Sequence, residues 1–600
     1  MASTPGTTAP AAPTWQDRAV LAWPLALALV LCLPLYLRAG HPLARDLVFV
    51  PRQPFTDATW GLGDVAPRAV PLDAVVATLT HVVDGGVLAR VVLPVTLALL
   101  GWGVARLVVP LGRTAQLAAS GFAVWNAYVV ERLALGQWAL LLGCAALPWL
   151  GGRRDALPGR GPTRRPAGCR VDRGGRADAG RRRLLAVAGL AVACLPHLRR
   201  TTAAVAAGVL LQLPWVVAAV TGPAGSTSDA SGVAVFAPDT ESRFGPVVAL
   251  LGLGGIWDRA SEPATRATAV ALVAAVVVVV VLAVGVPLLV RAWGPGDAVR
   301  WVVLSAVLGG TALLAATPWG QSGLVGLVDT VPGAGLLRDT QKLLAPVVVL
   351  ASAAFGACAA RLVALLGRVE GAWAGVVVVA LLPVLLLPDA TVRTWATVAP
   401  VRLPDDLGRA AEVLDGTPGV VVTLPWRAYR SFDWAHGGVL TSSDPATRMV
   451  DADVVTSDSL QVGPVLVPGE SPLAAEIGAA LAQGPPAAVL PDLGVTRVVL
   501  YPDDPDAATV DTSGLEPVLR TPVVEVFRVP GAEPAARAGT TVRRLAVLGA
   551  HAVALGVLLV AIGVLLAGAV RRRRPRGGDR RKSARGVRDA DPPVMYPDAR

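Results

Sequence analysis

Two short polar stretches lie against long apolar segments and carry side chains that could do chemistry. The first extends from Trp125 to Trp138 and contains Glu131, Arg132 and Gln137. A carboxylate can hold a sugar hydroxyl while a neighbouring guanidinium binds phosphate through two parallel hydrogen bonds. Aromatic rings such as Trp138 stack on sugar faces, although aromatic residues are also enriched at membrane–water boundaries. The alternative is a Glu–Arg pair that extends to the lipid headgroups.

The second polar stretch, residues 335–342, contains Arg338, Asp339, Gln341 and Lys342. Lys342 is one of only two lysines among the 54 lysine and arginine residues of the chain. A lysine supplies a compact ammonium rather than a planar fork, which suits a phosphate of a lipid-linked compound bound together with Arg338. An interfacial anchor is the alternative. The candidate substrate-binding residues of both stretches are Glu131, Arg132, Gln137, Trp138, Arg338, Asp339, Gln341 and Lys342.

Acidic residues follow the first apolar segment. Asp46 comes a few residues after that segment, where a general base at the membrane surface would meet a lipid-linked substrate and a polar acceptor. The alternative is a solvated pair of Arg45 and Asp46 among the headgroups. Asp57 and Asp64 could bind a divalent cation, or they could only form turns. No other cofactor is predicted, because phosphate-loop, dinucleotide and zinc-helix motifs are absent from the sequence.

Long apolar segments identify the chain as a membrane protein. The run from Thr268 to Val290 has 23 uncharged residues, which exceeds the about 20 that a helix needs to cross a bilayer. Leu184 to Leu195 is too short to cross and is predicted to be interfacial or re-entrant, after a disordered stretch at 152–183. Ten crossings are predicted, at 19–37, 88–109, 115–130, 137–151, 203–220, 268–290, 300–316, 343–366, 371–388 and 543–569.

Charge is distributed unevenly along the chain. The net charge is +11, yet the segment 389–541 contains 20 acidic residues against 10 arginines. The basic residues are concentrated between the apolar segments and after Val570, where retention of arginine on the cytoplasmic side explains them. With the N-terminus inside, ten crossings place the basic loops and the tail in the cytoplasm. A nucleic-acid partner is therefore not predicted.

The acidic segment also differs in its periodicity. Short β-branched runs at 420–424, 496–501 and 523–527 are separated by helical patterns at 403–414 and 472–483. Strands that alternate with helices are typical of a small α/β domain. The fold class is thus a polytopic α-helical membrane protein of about ten spans, with a small extracytoplasmic α/β domain before the last span. The predicted divisions are a membrane domain with outer loops at 1–390, the α/β domain at 391–541, a transmembrane helix at 542–570 and a cytoplasmic tail at 571–600.

The chain resembles actinobacterial integral-membrane glycosyltransferases of the C type (GT-C), including the membrane part of cell-wall arabinofuranosyltransferases and related uncharacterised membrane proteins. Four features carry the resemblance: Asp46 after the first span, the stretch 125–138, the Arg338-Asp339-x-Gln341-Lys342 element, and 493–500 in the outer domain. The similarity covers most of 19–390 and loosely 390–540. Family members often have a second acid next to the first, whereas Arg45 and Leu47 flank Asp46 in this chain.

The resemblance implies a GT-C-like fold in the plasma membrane and a defined reaction. A sugar would pass from a polyprenyl-phosphate donor to a cell-envelope glycan on the outer face, with Asp46 as the base. The partners would be that lipid-linked donor, the glycan acceptor and the bilayer. Two alternatives stay open: a transporter or flippase of lipid-linked envelope precursors, and a non-catalytic scaffold for envelope assembly.

The predicted topology can be tested by thiol labelling. A cysteine at Ser457, in a background without native cysteines, should react with a membrane-impermeant reagent in intact cells, because 391–541 is expected outside. Labelling that occurs only after permeabilisation would contradict this topology.

Overall fold

The computed structural model describes residues 15–64, 66–150, 203, 205–223, 228–331, 333–366, 372–534 and 541–573. The predictions for 152–183, for Leu184 to Leu195 and for the tail beyond 573 lie outside these residues. The described residues form two compact units: one lies within 15–150 and 218–544, and the other within 203–217 and 545–573. The described part of the second unit is helical.

Helices make up most of the described residues up to position 400. The helices up to the acidic segment are α1 Trp15–Leu31, α2 Pro34–Leu37, α3 Asp57–Trp60, α4 Leu72–Thr80, α5 Gly85–Leu107, α6 Arg113–Val124, α7 Ala127–Ala134, α8 Trp138–Leu150, α9 Val205–Thr221, α10 Ser231–Val235, α11 Pro246–Leu251, α12 Val270–Trp293, α13 Pro295–Ala315, α14 Pro318–Thr330, α15 Ala345–Leu366, α16 Ala372–Leu386 and α17 Ala390–Val398. The later ones are α18 Asp405–Leu414, α19 Ala446–Met449, α20 Pro472–Leu481, α21 Pro486–Val489 and α22 Thr541–Arg573.

Five helical segments among the described residues are long and apolar enough to cross a membrane, and a sixth is added if a bent pair counts as one span. The five are Gly85–Leu107, Val270–Trp293, Pro295–Ala315, Thr340–Leu366 and Thr541–Gly568, and the bent pair joins Val377–Leu386 to Ala390–Val398 at 63°. The chain is therefore a multi-pass membrane protein. The other predicted crossings correspond to shorter helices: α1, α6, α8 and α9.

The predicted crossing at 115–130 is interrupted for a specific reason. The amide oxygen of Asn126 accepts a hydrogen bond from the backbone nitrogen of Val129 (3.1 Å), which caps the start of α7. Its amide nitrogen donates to the carbonyl oxygens of Phe122 (2.9 Å) and Ala123 (3.0 Å) at the end of α6. One side chain thus satisfies backbone groups at two helix ends. The chain changes direction at Trp125, whose indole donates to the carbonyl of Leu387 (2.9 Å).

The acidic segment contains a five-stranded mixed sheet with the strand order β11-β12-β10-β4-β7. Strands β4, β10 and β7 are parallel, whereas β12 and β11 are antiparallel to their neighbours. The strands of the chain are β1 His41–Ala44, β2 Leu47–Val48, β3 Pro400–Val401, β4 Val420–Leu424, β5 Tyr429–Ser431, β6 Thr441–Ser443, β7 Asp453–Val455, β8 Leu460–Val462, β9 Val465–Val467, β10 Val495–Leu500, β11 Glu516–Arg520 and β12 Glu525–Arg528. The predicted strands at 420–424 and 496–501 and both predicted helices are thereby confirmed to within two residues.

The hairpin of β1 and β2 joins the region between α2 and α5 to this sheet segment. Strand β1 pairs antiparallel with β2 and with β3, with His41 opposite Val401. Leu43, Val48 and Val50 are buried in the same apolar cluster as Val421 of β4. The hydrophobic core of the sheet segment therefore includes side chains from the region between α2 and α5.

Ser457 is buried and is therefore unsuitable for thiol labelling. Ser457 is only 7% exposed, so a thiol there would be shielded on either side of the membrane. Ser513 is exposed and is the better reporter of the same topology. Arg300, whose side chain is 83% exposed in α13, is the matched position for a loop predicted to be cytoplasmic. A cysteine there should react only after permeabilisation.

Candidate functional site

Asp46 lies in the tight turn between β1 and β2. The preceding residue, Arg45, has a left-handed backbone with φ of 55°. Its backbone nitrogen donates to the carbonyl of Thr441 (2.7 Å), and its carbonyl accepts from the backbone nitrogen of Ser443 (2.9 Å). The guanidinium of Arg45 forms an ion pair with Asp258. A non-glycine residue in this backbone region is costly, so the turn is held in place by its surroundings.

The other side of the turn touches the residues after α7. The backbone nitrogen of Asp46 donates to the carbonyl of Leu135 (3.4 Å). Gly136 has φ of 86°, and a Cβ atom there would lie 2.4 Å from the backbone nitrogen of Leu47. Glycine is thus required at 136, because its backbone contacts the turn directly.

The carboxylate of Asp46 accepts two hydrogen bonds. The phenol of Tyr429 donates to Oδ1 (2.5 Å), and the amide nitrogen of Gln137 lies 3.5 Å from Oδ2. Burial raises the pKa of Asp46 above its ordinary value, although the two hydrogen bonds and the charges of Arg68 and Arg448 oppose that shift. A carboxylate with a raised pKa is a stronger base than an ordinary aspartate, which favours proton abstraction.

A chain of polar contacts continues from Gln137 to Asp339. Nη1 of Arg132 donates to Oε1 of Gln137 (2.6 Å) and to Oδ2 of Asp339 (2.5 Å), while Nη2 donates to Oδ1 of Asp339 (2.7 Å). The side chain of Arg132 is fully buried, and that of Asp339 is 16% exposed. Burial favours the neutral acid of Asp339, but the guanidinium outweighs it and holds the pKa of this carboxyl below its ordinary value.

Lys342 lies at the end of this chain, in a 3-10 helix from Thr340 to Leu344. Its carbonyl accepts a hydrogen bond from the phenol of Tyr128 (3.1 Å). The charges of Asp339, Arg132, Arg338 and Arg68 are close enough to act on its ammonium. Within the described part of the chain, no carboxylate lies within ion-pair distance of that ammonium.

The nearby arginines are linked through Glu470 of the sheet segment. Arg338 donates to Oε1 of Glu470 (2.9 Å), and Arg68 lies 3.0 Å from Oε2. The hydroxyl of Ser228 also donates to this carboxylate (2.8 Å). These cations hold the pKa of Glu470 below its ordinary value in spite of partial burial, which alone would raise it. Two guanidiniums therefore share one carboxylate beside Lys342.

Glu131 belongs to a separate buried cluster. Its Oε2 accepts from the backbone nitrogen of Ile256 (3.2 Å) and from the amide of Gln341 (2.8 Å). Burial and the neighbouring carboxylate of Glu241 raise the pKa of Glu131 well above its usual range. Glu241 forms a buried ion pair with Arg266 (2.5 Å). The structure therefore places Glu131 and Gln341 in contact with each other and outside the chain of contacts that runs from Asp46 to Asp339.

The remaining candidates lie apart from this chain of contacts. The ring of Trp138 packs on Phe49 with 5.6 Å between centroids. Asp57 is paired with Arg544 (2.7 Å). The residues that the structure describes contain no group of three or more histidine, cysteine or acidic side chains placed to hold a metal ion, around Asp57 and Asp64 or elsewhere.

Several residues of the site carry no signal in the sequence. These residues are in a short strand (Tyr429), in a short helix (Arg448) and in loops (Arg68 and Glu470), all far in sequence from the polar stretches. Each reaches the site only through the fold. Tyr429 is one of five tyrosines and follows β4 by five residues, so nothing in its local sequence indicates contact with Asp46.

No protein-family model matches the chain, and no curated protein matches it. Solved structures similar to it include the cryo-EM structure of the arabinofuranosyltransferase AftD from mycobacteria, which is 16% identical with a TM-score of 0.41. A mutant of the same enzyme is 15% identical with a TM-score of 0.39. Both matches cover 85% of this chain, but only 40% and 42% of the solved chains.

The buried ion pair leads to a stability prediction. Asp339→Asn should destabilise the protein by about 3–5 kcal/mol, because it leaves the guanidinium of Arg132 buried without a counter-charge. The measurement is the midpoint of thermal unfolding of the purified protein in detergent. Asp406→Asn is the matched control, since Asp406 pairs with the exposed Arg409 and such surface pairs contribute little. An equal, small effect of both substitutions would contradict the role assigned to the buried pair.

Proposed function

We propose that the chain is a membrane glycosyltransferase-like protein that transfers a sugar from a polyprenyl-phosphate donor to a cell-envelope glycan. One observation carries the proposal. The carboxylate of Asp46 is joined through Gln137, Arg132 and Asp339 to the region of Lys342. The ammonium of Lys342 has no carboxylate within ion-pair distance among the described residues, although the charge of Asp339 acts on it. This chain of contacts supports a base at one end and a phosphate-binding cation at the other.

The proposed reaction uses these two ends differently. Asp46 takes the proton of the acceptor hydroxyl while the acceptor oxygen forms a bond to the anomeric carbon of the sugar. The bond between that carbon and the donor phosphate breaks, and its electron pair leaves with the phosphate. Lys342 stabilises the negative charge on the departing phosphate. The protonated carboxyl then releases its proton to water.

The surrounding cations support binding of a phosphate. Arg338 and Arg68 share the single carboxylate of Glu470, so the group formed with Lys342 has more positive than negative charge. Lys342 keeps three donors for phosphate oxygens. Arg132 has a different role, since both of its Nη atoms already donate to Asp339. Its guanidinium fixes the distance between the two ends of the site.

The proposed location is the outer face of the plasma membrane. The apolar helices and the basic loops and tail support a bundle with both termini in the cytoplasm, and the excess of acidic residues in 389–541 supports an extracytoplasmic sheet segment. That segment then contacts the first outer loop, residues 39–87, on the side where an envelope glycan would be extended. The proposal includes no metal-dependent step.

The base is tested by Asp46→Asn, which keeps the size and polarity of the side chain and removes its basicity. Transfer from a polyprenyl-phosphate sugar should fall by about 100- to 10,000-fold, because a positioned base contributes that much. The assay uses membranes with equal amounts of each variant. Asp297→Asn changes a carboxylate near the start of α13, paired with Arg300, and should leave the rate unchanged. Parental transfer by Asp46→Asn would refute the proposed reaction.

The cation is tested by Lys342→Ala. Loss of a charged hydrogen bond to the donor phosphate should raise KM for the donor by about ten- to a hundredfold. We expect Lys342→Arg to restore only part of the affinity, because a planar guanidinium cannot reproduce the contacts of a compact ammonium. Arg300→Ala removes an exposed cation outside the site and is the control. An unchanged KM in Lys342→Ala would exclude the contact with phosphate.

A further inference from the structure

The most direct contact between the sheet segment and the candidate base is the hydrogen bond from Tyr429 to Asp46 (2.5 Å). The two residues are 383 positions apart in the sequence. Tyr429 begins β5, which pairs antiparallel with β6 so that Tyr429 lies opposite Ser443. Ser443 in turn donates its backbone N–H to the carbonyl of Arg45 (2.9 Å). The phenol and the turn that carries Asp46 are therefore held on neighbouring positions of the same small sheet.

The geometry leaves Asp46 little freedom. The backbone of the preceding residue, Arg45, is bonded to β6, and the backbone nitrogen of Asp46 donates to Leu135. Its two carboxylate oxygens accept from Tyr429 and Gln137. A phenol that donates to a carboxylate stabilises the ionised form and aligns its lone pairs. The second oxygen, with the longer contact of 3.5 Å to Gln137, is the one less tightly held.

We propose that Tyr429 is a positioning residue for Asp46, so that a side chain of the sheet segment orients the carboxylate of the first outer loop. Its significance for transfer rests on the proposed function, whereas the orientation itself does not. The sheet segment is accordingly part of the active site and contributes more than a surface for glycan binding. Tyr429 acts through Asp46 and takes no proton from the acceptor.

Other charged groups near Asp46 and Tyr429 also affect the ionisation of this pair. Arg45 precedes Asp46 in the turn, Arg68 lies before α4, and Arg448 projects from α19. Arg68 and Arg448 also favour the ionised carboxylate, whereas Arg45 acts on the phenol of Tyr429. The phenol adds a directional contact that these cations cannot supply. Burial has the opposite effect on the pKa of Asp46. Removal of the phenol hydroxyl should therefore raise that pKa further while the charges remain unchanged.

The test is Tyr429→Phe in the full-length protein, followed by carbodiimide coupling of an amine to Asp46 as a function of pH. Coupling requires the protonated carboxyl group, so its midpoint follows the pKa of Asp46. Trypsin releases Asp46 in the peptide 46–52, which contains no other carboxylic side chain. Loss of a hydrogen bond to a charged group should move the midpoint up by about one pH unit.

Asp297 is the internal reference, because the peptide 292–300 contains only that acidic side chain and its midpoint should not move. Tyr501→Phe is the matched control variant. Its phenol donates to the buried Asp444 (2.7 Å) in the same sheet segment, so it reports the effect of a weakened fold without touching Asp46. The midpoint of Asp46 should be the same in Tyr501→Phe as in the parent.

The acidic limb of kcat/KM for transfer supplies a second measurement. It should shift to higher pH in Tyr429→Phe and stay in place in Tyr501→Phe, since this limb reports the ionisation of the base in the free protein. An unchanged coupling midpoint in Tyr429→Phe would overturn the positioning role even if Asp46→Asn is inactive. A shifted midpoint together with full activity of Asp46→Asn would instead preserve the positioning contact and refute the proposed reaction.

Discussion

The buried ion pair of Arg132 and Asp339 is the interaction on which the rest of the site depends. It joins α7 to the segment before α15, 207 residues later in the chain, through two parallel hydrogen bonds. A bidentate pair fixes both the distance and the relative orientation of the groups that carry it. Since a guanidinium without exposure to water cannot remain unpaired, the two polar stretches of the sequence must come together for the membrane part to fold.

The other contacts of the site follow from that constraint. Gln137, three residues after α7, accepts from Arg132 and reaches Asp46, while Lys342 lies one helical turn after Asp339. The hydrogen bonds of the Asp46 carboxylate are completed by Tyr429, which belongs to the sheet segment. The turn at Arg45 is in an unfavourable backbone conformation and is held by β6 and Asp258. Strain of this kind persists only where the surroundings determine the conformation, as they do around a preorganised carboxylate.

Adjacent residues of α7 have different surroundings for a geometric reason. Consecutive residues on a helix point about 100° apart, so Glu131 and Arg132 cannot face the same partner. Arg132 faces Asp339 and Gln137, whereas Glu131 faces Gln341 and the backbone of Ile256. Both residues are fully buried and each needs its own hydrogen-bond partners. The Glu–Arg dipeptide thus links the candidate site to a second buried polar cluster.

The sequence by itself determined the class of the protein and the residues that could act. Uncharged runs such as 268–290 indicate membrane helices because the number of consecutive apolar residues can be read from the local sequence. The β-branched run at 420–424 indicates a strand for the same reason. Asp46 and Lys342 were candidates because ionisable groups beside lipid are costly. Only the tertiary structure decided the partner of each charge, the interruption of a helix at Trp125 and the contact from Tyr429. These depend on side chains hundreds of residues apart, and no local pattern specifies which of them meet.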